Sequence, residues 1–172
     1  MKKTIENWVD LCGMNEQDIP MQFEVYGSEL IEVISGIAEK NHQEIMDGVA
    51  DSHWMINTIK YISKEKIDLS HQLDDLIEEV DKIYPQLVEK NFESFKKAVL
   101  ESNYSKFCVN EKEVEQTREK YKEKGVLIKS KKIGEFYVIR SAKTVRGNDG
   151  KMYPQDKILK GIDYFEPQIK VK

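Results

Sequence analysis

The chain has 172 residues, 40% of them hydrophobic and 34% charged, with a formal net charge of −4. That is enough for one compact domain, or one domain with an appendage. No apolar run approaches the roughly 18 residues that a membrane span needs, and two isolated cysteines, Cys12 and Cys108, exclude a disulfide scaffold and point to a reducing compartment. The Met-Lys-Lys start leads into no apolar h-region, so no signal peptide is expected and the expected location is cytoplasmic.

Residues 4–12 read as a short amphipathic helix carrying Ile5, Trp8, Val9 and Leu11. A loop with Asn15 and Pro20 follows, then a long helix over 21–39, a break at Asn41-His42, and a second long helix over 43–63. Asp68 or Ser70 is the expected cap of a third helix, which Pro85 ends near Tyr84. Leu87, Phe92, Phe95, Val99 and Leu100 recur at helical spacing and place a fourth helix over 86–101. After Lys106 the pattern changes. A charged helix over 110–124 stops at Gly125, and VLIKSKK and EFYVIRS then read as a β-hairpin. A turn at Asn148-Asp149-Gly150 and an irregular tail complete the chain. The expectation is therefore a mainly α protein: a helical core over 1–106 and an αββ appendage with its tail over 107–172. Charge divides along the same line. Residues 1–106 carry 11 basic and 21 acidic side chains, a balance of −10; residues 107–172 carry 16 and 10, a balance of +6. The first part suits cations and the second an anion.

The acids of the first part are placed where a solvated helix would not put them. Glu29 and Glu32 lie one turn apart, on the side of Met21, Val25 and Gly36. Glu44, Asp47 and Asp51 share one line of the next helix with Met55, Thr58 and Ile62. Residues 52–59 contain no Lys, Arg, Asp or Glu, so that helix reads as buried most of the way round. Carboxylates facing a core are costly unless something positive neutralises them. Hard oxygen donors of this kind suit Mg²⁺ or Mn²⁺. The competing reading is an ordinary acidic surface in a chain rich in Glu and Lys. Gly36 and Gly48, each costing roughly 1 kcal/mol inside a helix, point to close backbone approach or to space beside the acids. In Ser102-Asn103-Tyr104-Ser105-Lys106 the amide, hydroxyls and ammonium are phosphate donors, or alternatively the polar capping of a helix end. His42, His53 and His71 share no metal-ligand spacing.

Glu29-Leu-Ile-Glu32, Glu44-Ile-Met-Asp47 with Asp51, SNYSK and the ending KILKGIDYFEPQI together resemble the all-α nucleoside triphosphate pyrophosphohydrolases, the MazG-like and phosphoribosyl-ATP-pyrophosphohydrolase-like group. The resemblance spans most of the chain, and the helix and hairpin before the ending are similar to small phage-type members. It departs from the group at Ser28, where an acid is common, and at Gly48, where some members carry the Glu of their second motif.

The resemblance implies a four-to-five-helix core. It implies hydrolysis of a (d)NTP to a (d)NMP and pyrophosphate for nucleotide-pool control, in a bacterial or phage-infected cytoplasm. Glu29, Glu32, Glu44 and Asp47 would be catalytic. With Asp51 they would hold Mg²⁺, with Mn²⁺ as its substitute. Asn103, Ser105 and Lys106 would bind substrate phosphates, and Trp8 is either a stacking surface for the base or a core anchor. A homodimer or homotetramer is implied. No membrane partner is expected, and the basic appendage lacks a groove-reading motif for nucleic acid. The alternatives are a phosphoribosyl-ATP pyrophosphohydrolase, or a catalytically weak nucleotide- or partner-binding module.

Overall fold

The computed structural model describes residues 2–172. Among these it has six α-helices and two small two-stranded antiparallel sheets, so the chain is mainly helical with a minor β part. The described helices include none long and apolar enough to cross a membrane. The chain forms two compact units, one of Thr4–Glu101 with Pro167–Lys172, the other built on Ser102–Glu166.

The helical unit opens with α1, Ile5–Cys12. The Thr4 hydroxyl accepts the Asn7 N–H at 3.2 Å, and the helix ends at Gly13, whose φ of 58° suits glycine. A single 3-10 turn, Glu16–Asp18, leads into α2, Ile19–Glu39. The helix starts two residues earlier than the sequence pattern places it. Pro20 is inside the first turn rather than in the loop, where a missing N–H costs no hydrogen bond. α2 stops at Lys40 in a left-handed conformation, and Asn41 caps α3, His42–Ile62, by accepting the Glu44 N–H at 3.3 Å.

α3 is the centre of this unit: twelve of its 21 residues are buried, which is why its sequence lacks a polar face. Ile45, Val49, Ile56 and Ile59 join Val9, Val33 and Phe95 of the other helices in the core. α4, Ser70–Ile83, buries only Leu73 and Val80 and is otherwise solvated. Neither expected cap takes the N-cap position, which Leu69 holds without a side-chain hydrogen bond; the Asp68 carboxylate instead accepts the N–H and the hydroxyl of Ser70, the first helical residue. α5, Leu87–Tyr104, runs three residues past the expected end and takes Ser102, Asn103 and Tyr104 into its last turn.

The second unit contains α6, Glu111–Glu123, capped by Asn110, whose Oδ1 accepts the Glu113 N–H at 2.9 Å. The hairpin pairs β1, Ile128–Ile133, with β2, Phe136–Ser141, in the register Ile133 opposite Phe136. Gly134, at φ 59°, begins the turn. Val114, Tyr121, Ile128, Ile139 and Leu159 form this unit's core. β3, Val145–Arg146, pairs with β4, Met152–Tyr153, around the Asn148–Gly150 turn. The sequence reading has no strands there, because two-residue strands are too short to show alternation.

Candidate functional site

The acidic helices meet at their glycines. A Cβ at Gly48 would lie 2.8 Å from Val33 Cγ2 and 2.9 Å from the carbonyl oxygen of Glu29. A Cβ at Gly36 would lie 2.9 Å from both the Cγ1 and the backbone nitrogen of Ile45. Real Cβ atoms do not sit that close, so both glycines are where α2 and α3 touch backbone to backbone. Of the two explanations the sequence allows, close approach is the one observed.

That approach brings the two acidic sets into one field. Glu29, Glu44, Asp47 and Asp51 are partly buried, while Glu32 is exposed. Burial raises the Glu29 carboxyl to about 7, and the negative charges of Asp51 and Glu32 add to the rise. Glu32 is raised by the desolvation of its carboxyl and then by Glu44 and Asp47. Asp47 is raised by burial; Gln43, which donates to its oxygens at 3.2 Å, partly offsets this, and Glu44 adds repulsion. The Asn41 amide donates to Glu44 Oε2 at 3.2 Å. The charges that shift Glu29, Glu32 and Asp47 are all negative. Ser28, where the group often has an acid, is exposed and donates to the Glu24 carbonyl at 3.2 Å.

Hard oxygen donors whose charged neighbours repel them fit a divalent cation. Among the described residues no three His, Cys, Asp or Glu side chains converge closely enough to hold an ion jointly. The two observations differ in range. Coulombic repulsion spans several more ångströms than a coordination bond, so the acids form a shared field rather than a closed cage.

Trp8 is 5% exposed and meets the buried Trp54 edge-on, with ring centroids 5.2 Å apart. The ring is part of the core. Beside Trp54, a cavity of about 400 Å³ is lined by His53, Asn57, Ile5 and Lys96 as well. His53 stays neutral, its pKa pushed down to about 4 by burial and then by the Lys96 charge.

The SNYSK residues belong to the second unit. Lys106 Nζ donates to Asn103 Oδ1 at 2.5 Å, so these two expected phosphate ligands are together. Ser105 is different: its hydroxyl donates to the Ser102 carbonyl at 2.7 Å and accepts the Phe165 N–H at 3.2 Å. The Ser102 hydroxyl donates to the Phe165 carbonyl at 2.9 Å. The serines grip the YFEP segment. The sequence pattern includes that segment in the resemblance but gives it no role. It also passes over Gln43 as the partner of Asp47, for which the i, i+4 spacing is the available signal.

No family model, no curated protein and no solved structure matches this chain.

Proposed function

We propose that this chain is a divalent-metal-dependent nucleoside triphosphate pyrophosphohydrolase, built on an all-α pyrophosphohydrolase core and converting a (d)NTP to a (d)NMP and pyrophosphate. The observation that carries the reading is the cluster of mutually repelling carboxylates, most of them partly buried, where α2 meets α3. The ordered motifs of the sequence give it its chemical direction. Glu29, Glu32, Glu44, Asp47 and Asp51 would hold Mg²⁺ or Mn²⁺, which supplies charge neutralisation and an acidified water when bound. Asn103 and Lys106 have the donor chemistry for phosphate oxygens. Without a cation, burial and the neighbouring acids hold the Glu29 carboxyl near 7, and a bound cation would draw its proton off. The cavity beside Trp54 is large enough for a planar ring.

Assembly as a homo-oligomer belongs to the same proposal. On α2, Ile31 and Ile34 are 64% and 65% exposed, and Ala38 continues their stripe. Two large aliphatic side chains open to water on a well-formed helix mark an interaction face.

The test is pyrophosphate release with Mg²⁺ or Mn²⁺ over a panel of ribo- and deoxyribonucleoside triphosphates, with Glu32→Gln and Asp47→Asn alongside. Abolished turnover in both variants is the expected result, and the preferred nucleotide separates pool control from phosphoribosyl-ATP hydrolysis. A second reading, nucleotide binding without turnover, is favoured by Ser28 in place of an acid and by the open arrangement of the carboxylates. Binding with no release from any nucleotide would establish it.

A further inference from the structure

Residues 160–166 of the second unit form a strap along the end of α5. The Gly161 N–H donates to the Lys106 carbonyl at 2.9 Å. A Cβ on Gly161 would lie 3.0 Å from that oxygen and 3.1 Å from Cys108 Sγ, so the crossing is tight. At the other end, Ser102 and Ser105 hold the Phe165 peptide by both its carbonyl and its N–H. The strap is therefore pinned beside the Asn103–Lys106 pair at two points.

Its polar side chains converge on one carboxylate. Lys160 Nζ donates to Glu166 Oε1 at 2.8 Å, and the Tyr164 hydroxyl donates to Oε2 at 2.5 Å. The Lys160 ammonium also stands 4.0 Å from the centre of the Tyr164 ring, which orients it. The Lys160 and Tyr164 hydrogen bonds hold the Glu166 carboxyl below its usual range, and the Lys106 charge adds to this. Two ammonium groups and a phenol thus act on a single negative charge. A phosphate chain offers more negative oxygens than one carboxylate, and Lys is a point donor suited to them.

We propose that Lys160 and Tyr164 join Lys106 in one site for a phosphate-chain anion, and that Glu166 is the internal counter-anion which the ligand displaces. This deepens the phosphate role proposed above for Asn103 and Lys106 and rests on it. A strap clasp alone predicts something else: losing either partner of the Lys160–Glu166 pair would loosen the segment and weaken binding. Competition predicts opposite signs.

The experiment is calorimetric titration of inorganic pyrophosphate into the full chain at low salt with divalent metals chelated, so that neither turnover nor the carboxylate site enters. Lys160→Gln is expected to bind about tenfold more weakly and Glu166→Gln about tenfold more tightly, the scale set by removing one charge-assisted hydrogen bond or one competing charge. Lys106→Gln, the control, is expected to weaken binding as well. If Lys160→Gln binds as the unaltered chain does, or if both strap variants shift in the same direction, while Lys106→Gln is weakened, the strap site is overturned and the phosphate role of Lys106 stands. If the unaltered chain does not bind pyrophosphate, or Lys106→Gln binds it equally well, that role fails and the strap site fails with it.

Discussion

Gly48 of α3 lies against the backbone of Glu29 of α2, so close that a methyl group would come within 2.9 Å of the Glu29 carbonyl oxygen. The relationship sets the spacing of the candidate site. With the helices touching at this point, Asp51 acts on Glu29, and Glu44 and Asp47 act on Glu32. Gly48→Ala would gain roughly 1 kcal/mol of helix propensity but would force backbone against backbone, at about 1–3 kcal/mol. Urea denaturation is expected to show a net loss of stability. A variant at least as stable as the unaltered chain would mean that the helices separate freely there.

Activity should track the shared carboxylate field. Glu32→Gln and Asp47→Asn are each expected to lower metal-dependent pyrophosphate release roughly 10²-fold, the usual scale for removing one electrostatic stabiliser at a reacting centre. Asp51→Asn should also lower it, and should bring the Glu29 carboxyl down, since Asp51 is one of the charges raising it. Titration of Glu29 by carbon-detected NMR reads that shift directly; an unmoved Glu29 would break the proposed coupling.

The pH dependence of stability has two opposed limbs. Glu29 holds its proton up to about pH 7 in the folded chain, against about 4.5 when unfolded. Folding therefore takes up a proton between those values, and stability falls as pH rises through that window. Glu32 and Asp47, also raised, act with the same sign. His53 is held at about 4 against an ordinary 6.5, so its contribution is complete above 6.5 and is lost as pH falls toward 4. In metal-free protein, Glu29→Gln should raise the melting midpoint at pH 8 and leave the His53 limb in place. A midpoint at pH 8 equal to that of the unaltered chain would show that the Glu29 carboxylate is already satisfied.

The exposed stripe of α2 gives an expectation for assembly. Ile31→Glu with Ile34→Glu should convert an oligomer to a monomer in light scattering, because burying two charges in an apolar interface costs more than the interface returns. An unaltered chain that is monomeric at all concentrations would remove the proposed assembly.

Ser102→Ala should free the strap. The change removes the hydroxyl that donates to the Phe165 carbonyl at 2.9 Å and costs about 1 kcal/mol. Amide exchange within residues 160–166 is expected to quicken while that of α3 stays unchanged. Equal protection of the strap would show that Gly161 and Ser105 suffice to hold it.

The helical plan, the hairpin and the identity of the acids are legible in the residues alone. Capping residues, helical periodicity and the charge-free stretch over 52–59 are local properties, and local properties survive into the fold. Even so, the α2 start and the α5 end were displaced, because Pro20 is compatible with a first turn and Ser102 is held by a partner the local sequence does not name. What the glycines and serines do depends on packing between distant segments. Gly36 and Gly48 became a backbone approach rather than space beside the acids, Trp8 became half of a buried aromatic pair, and Ser102 and Ser105 turned to the Phe165 peptide. Each of these depends on which atom of a distant segment arrives within a few ångströms, and spacing along the chain carries no information about that distance.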